Sequence, residues 1–137
     1  MNFTRPKCAL ALVLGLLLAL SASAAAPVTL TLAGPLTNTT QIVTAPGRFE
    51  LTLDGDTVGG FLNVEAPLPA GRWPVEGMRR GAWFELVCRT TKTTRLVFRG
   101  VLSPTELRGN FISDGGEVVE YGRFRAAVVP SSAPSKL

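Results

Sequence analysis

Histidine is absent from the 137-residue chain. That excludes a Ser-His-Asp triad, a Cys-His pair, an imidazole metal ligand and an imidazole pH switch. Cysteine is nearly absent as well, with two in the whole sequence, Cys8 and Cys88. Neither their number nor their spacing makes a metal site, and with no histidine to activate it Cys88 reads as a small buried hydrophobe sharing strand parity with Phe84 and Leu86. No stretch after Ala26 keeps apolar residues at i, i+3, i+4 and i+7 for three turns, so little helix is expected. Without a helix to open, a phosphate-cradling glycine loop has no place, and no G-x-S-x-G elbow occurs. No cofactor is implied.

The N-terminus carries Arg5 and Lys7, then an apolar run from Ala9 to Leu20, then small residues from Ser21 to Ala26. This order is that of a secretory signal peptide, with Ala22-Ser23-Ala24 as the cleavage signal and Ala25 as the first mature residue. The run is short for a membrane span, which needs roughly 20 apolar residues, so no transmembrane span is expected after cleavage. Cys8 precedes the apolar run and therefore cannot be the lipid-bearing cysteine of a lipoprotein signal. The final Ser135-Lys136-Leu137 spells a peroxisomal address, but three residues weigh less than the patterned N-terminus. The expected destination is export, to the periplasm or beyond.

Removing residues 1–24 changes the charge. The whole chain has 14 basic and 10 acidic residues, a net +4; residues 25–137 keep 12 basic and 10 acidic ones, a net +2. The basis for a specific nucleic-acid interaction goes with that difference. Ten of the remaining basic residues are Arg, and only Lys92 and Lys136 are Lys. With the abundant Ala, Gly, Pro, Leu and Val, this bias suggests a GC-rich bacterial gene.

Residues 25–137 hold 13 Gly and 9 Pro. They punctuate alternating runs at a spacing that predicts an all-β fold, an antiparallel meander barrel or sandwich of about eight strands. The alternation places strands at Val28–Leu32, ended by Gly34-Pro35, at Gln41–Ala45, stopped by Pro46-Gly47, and at Phe49–Asp54. Asp54-Gly55 predicts a tight hairpin leading to a strand from Thr57 to Glu65, where Gly59-Gly60 suggests a bulge or bend. Residues 67–81 read as mostly connection, with a short edge strand at Arg72–Val75. Further strands are expected at Trp83–Thr90, Thr94–Leu102, Glu106–Ser113 and Val118–Val128, within a domain spanning residues 25–129. Residues 130–137 read as a disordered tail. Short sequential connections favour an up-and-down meander, and closure would remove exposed edges. A barrel of this size is either filled by side chains or wide enough for one small ligand.

Phe98-x-Gly100-x-Leu102 runs into one turn and Leu107-x-Gly109-x-Phe111 runs out of it, with Gly122-x-Phe124 on the next strand. Glycines at matched places let a sheet curl while Phe and Leu fill its concave side. The pattern resembles the C-terminal hairpins of small lipocalin-like and avidin-like barrels over about 35 residues, and the resemblance implies architecture alone, with no ligand and no site residue.

Two sets of residues could bind something. If Leu96 and Phe98 face inward, Arg95 and Arg99 face outward; by the same parity so do Arg108, Arg123 and Arg125. Five guanidinium groups on one curved face could hold an anionic envelope polymer, phosphate or lipid headgroups. The plainer alternative is a solvated face laced with Glu106, Asp114 and Glu117. The second set is Trp73, Arg79, Arg80 and Trp83, a basic loop tip bordered by aromatics that could take a small ligand; alternatively the two tryptophans plug a barrel end. Asp54-Gly55-Asp56 lacks the further oxygen ligands of a calcium loop. Among Glu50, Glu65, Glu85 and Glu120, two carboxylates could in principle pair for hydrolysis. The sequence thus points to an exported, non-enzymatic barrel that binds a small ligand or an envelope component. A structural or assembly protein packing through a sheet face, or a carboxylate hydrolase, are the alternatives. Oligomeric state is left open.

Overall fold

A computed structural model describes residues 25–130. The signal peptide expected at 1–24 and the tail residues 131–137 lie outside the described residues. Eight antiparallel strands follow one another in sequence: β1 Val28–Asn38, β2 Val43–Asp54, β3 Thr57–Val64, β4 Gly71–Arg80, β5 Trp83–Arg89, β6 Arg95–Leu102, β7 Glu106–Asp114 and β8 Glu120–Val128. Each pairs with the next, and β8 returns to β1, closing the barrel. The expected meander is present, and closure decides for a barrel over a sandwich.

Period-two alternation fixes what lies inside. On β2, Ala45, Phe49, Leu51 and Leu53 are buried while Arg48 and Glu50 on the other parity are not. The interior is filled through its middle by Phe49, Phe84, Phe98, Phe111 and Phe124. Phe98 stands at its centre, 5.4 to 5.5 Å by ring centroids from Phe49, Phe111 and Phe124. Edge-to-face and tilted rings at these separations are favourable beyond the area they bury. The inside is apolar and the outside mainly polar, with Phe61, Met78, Trp83 and Tyr121 as exposed exceptions. Phe61, which points outward, is covered by the Arg72 guanidinium at 3.8 Å from its ring centroid, and Arg72 also pairs with Glu50.

The near-palindrome becomes a register: Phe98 pairs with Phe111, Gly100 with Gly109 and Leu102 with Leu107. A Cβ on Gly100 would lie 2.0 Å from the Arg108 carbonyl oxygen. The two strands therefore approach too closely for any side chain at that rung, and this close approach supplies the curl.

Three expectations are corrected. Gly34-Pro35 does not end β1, and Pro46-Gly47 does not interrupt β2. The two dipeptides face each other across the ladder, Gly34 against Gly47 and Pro35 against Pro46. Proline cannot donate to a ladder, and each of these two lies where one flank is unpaired. The β1–β8 pairing skips Gly34 and Pro35, and the β2–β3 pairing stops at Gly47. The third correction is β4, which runs ten residues through the region read as connection, paired on both sides with β3 and β5. Its inward positions include Gly77, where a Cβ would sit 1.9 Å from the Glu85 carbonyl oxygen, so the apolar signal of a strand is missing there. Asp54-Gly55 does form the tight hairpin, with Gly55 at φ 57°. At Gly59-Gly60 there is no bulge, since the β2–β3 register runs unbroken past Gly60, which has φ 143°.

Candidate functional site

Below the phenylalanines at one end, the barrel opens into a cup of about 250 Å³. The ends of β1, β3, β5 and β7 and the starts of β4, β6 and β8 surround it. Its apolar wall includes Leu36, Leu68, Trp73, Leu96 and Phe111, and its polar groups include Asn38, Gln41, Ser113 and Glu120. Trp73 faces inward beside Leu62 and packs on the core. The mixture of a mainly apolar lining with a few convergent polar groups is what small-molecule sites share, though this one falls just below the usual range of roughly 300–1,000 Å³.

Asn38 organises the polar side. It is only 3% exposed. Its Oδ1 accepts hydrogen bonds from the backbone N–H groups of Thr40 and Gln41 at 3.0 and 2.9 Å, closing the turn after β1. Its Nδ2 donates to Glu120 Oε2 at 3.0 Å, and Gln41 Nε2 donates to Glu120 Oε1. Two amides thus hold one carboxylate against the cup. The same turn contains Ile42, which has a left-handed φ of 59° and is 88% exposed. Val118 and Val119, just before β8, are also exposed at this end.

The five arginines singled out from sequence all point outward, as their parity requires. They line a groove of about 940 Å³ on the outer wall of β5 to β8 and β1. Three cross-strand rungs build it. Trp83, Val101, Arg108 and Arg125 form one rung, Glu85, Arg99, Asn110 and Arg123 the next, and Val87, Val97, Ile112 and Tyr121 an apolar one beyond. Most of the guanidinium groups already have partners. Arg95 pairs with Asp114 at 2.9 Å, Arg99 with Glu85 at 2.6 Å, and Arg125 with Glu106 at 2.7 Å. Arg108 and Arg125 stand directly opposite each other, an unfavourable placement for like charges, and Glu106 lies within 4 Å of both. Arg123 has no ion pair among the described residues. The face is therefore a charge ladder of the kind weighed above, with Glu106 and Asp114 in it and Glu85 added.

The second sequence set is not one cluster. Trp73 lies in the cup, whereas Arg79 and Arg80 end the same strand at the opposite mouth, about 20 Å away at roughly 3.3 Å per residue. Arg79 is tied to the β2–β3 hairpin by its Nε–H to the Gly55 carbonyl oxygen at 2.9 Å. Trp83 points outward, 62% exposed, and belongs to the arginine groove. Glu85 and Glu120, the two carboxylates in apolar strands, lie on opposite sides of the wall. Glu85 meets Arg99 outside while Glu120 meets Asn38 inside, and Glu50 is engaged outside by Arg48 and Arg72. No group of three or more metal-ligating side chains occurs among the described residues.

Sequence reasoning missed Asn38 and Gln41. Continuing β1 past Gly34-Pro35 would have placed Asn38 on the inward parity of Leu32 and Leu36. The chain matches no protein-family model, and comparison with curated proteins finds no relative.

Proposed function

We propose that this is an exported binding protein whose site is the cup at the open mouth of the barrel, where it holds a small ligand without transforming it. The observation that carries the reading is the contrast along the barrel axis. Phenylalanines fill the middle, and at one mouth the packing stops against Trp73 on one side and an amide-held Glu120 on the other. A rigid closed wall presents these groups with little ordering cost on binding. With no histidine in the sequence and the Cys88 thiol buried, the chain is short of the usual acid–base and nucleophilic groups. The test is native mass spectrometry of the protein purified from the envelope fraction of the cells that make it. The expected result is a small-molecule adduct that is lost in Trp73→Ala. A bare protein mass in every preparation would overturn the reading.

A second reading has its own observation. The arginine groove carries five guanidinium groups against three carboxylates, and exposed ion pairs of this kind contribute little to stability. An anionic envelope polymer could replace Glu106, Glu85 and Asp114 as partner without a large cost. Retention on an anionic polysaccharide resin that falls in Arg108→Gln and Arg123→Gln, but not in Trp73→Ala, would favour it over the cup.

A further inference from the structure

We propose that the cup takes a small organic cation, an alkyl or arylalkyl ammonium whose charged head meets Glu120 and whose apolar body lies against Trp73. This rests on the reading of the cup as the ligand site and names the ligand's chemistry. Glu120 is, among the described residues, the only charged one lining the cup. Among the described residues no Lys or Arg nitrogen comes within 4 Å of its carboxylate. The other carboxylates on the described strands, Glu50, Asp54, Glu76, Glu85, Glu106 and Asp114, all have the outward parity, whereas Glu120 shares the inward parity of Phe124 and Ala126. Its partners are the neutral amides of Asn38 and Gln41, which orient a carboxylate without cancelling its charge. Each carboxylate oxygen has accepted one of these amide hydrogen bonds and keeps room for another donor.

The surroundings point the same way. Glu65 and Glu117 lie on the connections at this mouth, with Lys92 as the one cation on them; Lys92 does not line the cup. Trp73 and Phe111 line the cup and supply aromatic surface for the apolar body of the ligand. A carboxylate or phosphate ligand would meet an uncompensated like charge in a partly desolvated site, which costs affinity. A neutral ligand would leave that charge unanswered.

The Trp83→Phe variant tests this, because it leaves Trp73 as the sole tryptophan and changes only an exposed outward side chain. Its fluorescence is titrated with hexylammonium, hexanol and hexanoate, and the titration is repeated after adding Glu120→Gln or Glu120→Asp. The expected result is saturable binding of hexylammonium at least about tenfold tighter than hexanol, with hexanoate weakest. Glu120→Gln should abolish that preference and Glu120→Asp should keep part of it. Equal binding of hexylammonium and hexanol by the chain with Glu120 intact would overturn the cation assignment while leaving the cup as a ligand site. No response to any of the three would overturn both. The comparison of ligands with Glu120 intact decides the matter even if a Glu120 variant fails to fold.

Discussion

Cys88 sits on β5 with no accessible surface, paired across the sheet with Val75 and Leu96. Burial pushes its thiol from about 9.0 up to about 11, so the thiolate that would act as nucleophile or metal ligand is scarce at neutral pH. The sign of the linkage follows. An unfolded chain loses the thiol proton near pH 9, while the folded chain keeps it until about 11. The stability is therefore complete below pH 9 and falls as pH rises toward 11, by about 2–3 kcal/mol. Urea unfolding at pH 8 and pH 10.5 should show this loss in the parent chain and a smaller one in Cys88→Ala; equal losses would contradict it. Ile42 is the other telling residue. A β-branched side chain at φ 59° is strained, and this one is exposed. Ile42→Gly is expected to raise stability by about 1 kcal/mol, read as a Tm increase of a few degrees. A decrease would mean that Ile42 makes a stabilising contact. The burial of Cys88 was legible from its parity with Phe84 and Leu86. The strain at Ile42 was not, since nothing in Gln41-Ile42-Val43 departs from an ordinary strand.

The strands show why some of the architecture could be read and some could not. Where large apolar residues alternate without interruption, as in Trp83–Arg89 and Arg95–Leu102, sequence and structure agree to within a residue. They part at β1, β2 and β4, where glycine and proline serve the sheet itself instead of ending it. Gly-Pro reads as punctuation because its usual use is a turn. Here its members pair across an antiparallel register and place each missing N–H at a gap in the ladder. Continuing β1 would have revealed Asn38, so one misread dipeptide also hid half of the candidate site. Two kinds of glycine follow from the same geometry. Gly100→Ala and Gly109→Ala would each drive a methyl to about 2.0 Å from a carbonyl oxygen of the neighbouring strand, and each should cost about 2–3 kcal/mol. Gly116 meets nothing closer than the Val118 carbonyl oxygen at 3.7 Å and has no left-handed φ, so Gly116→Ala should be neutral or stabilising by up to about 1 kcal/mol. Thermal unfolding of the three variants checks the contrast, and similar losses in all three would refute it.

At the scale of the whole molecule, closure gives the protein two different mouths and an outer wall. Arg79, held to the Gly55 carbonyl oxygen, lies at one mouth, and Trp73, Asn38 and Glu120 line the other. The arginine groove runs along the wall between them. The sequence made the arginines conspicuous because parity alone assigns them a face. The cup was hidden because its members come from distant strands, with Asn38 and Glu120 lying 82 positions apart, and are joined only when β8 returns to β1. The central claim is that binding occurs in the cup and not on the wall. It is tested most directly by two-dimensional NMR of the ¹⁵N-labelled protein titrated with the small-molecule extract of its own cells' envelope. The indole N–H of Trp73 and the side-chain amides of Asn38 and Gln41 should shift together while the indole of Trp83 stays in place. Movement of Trp83 and the groove arginines, with Trp73 unmoved, would contradict the account.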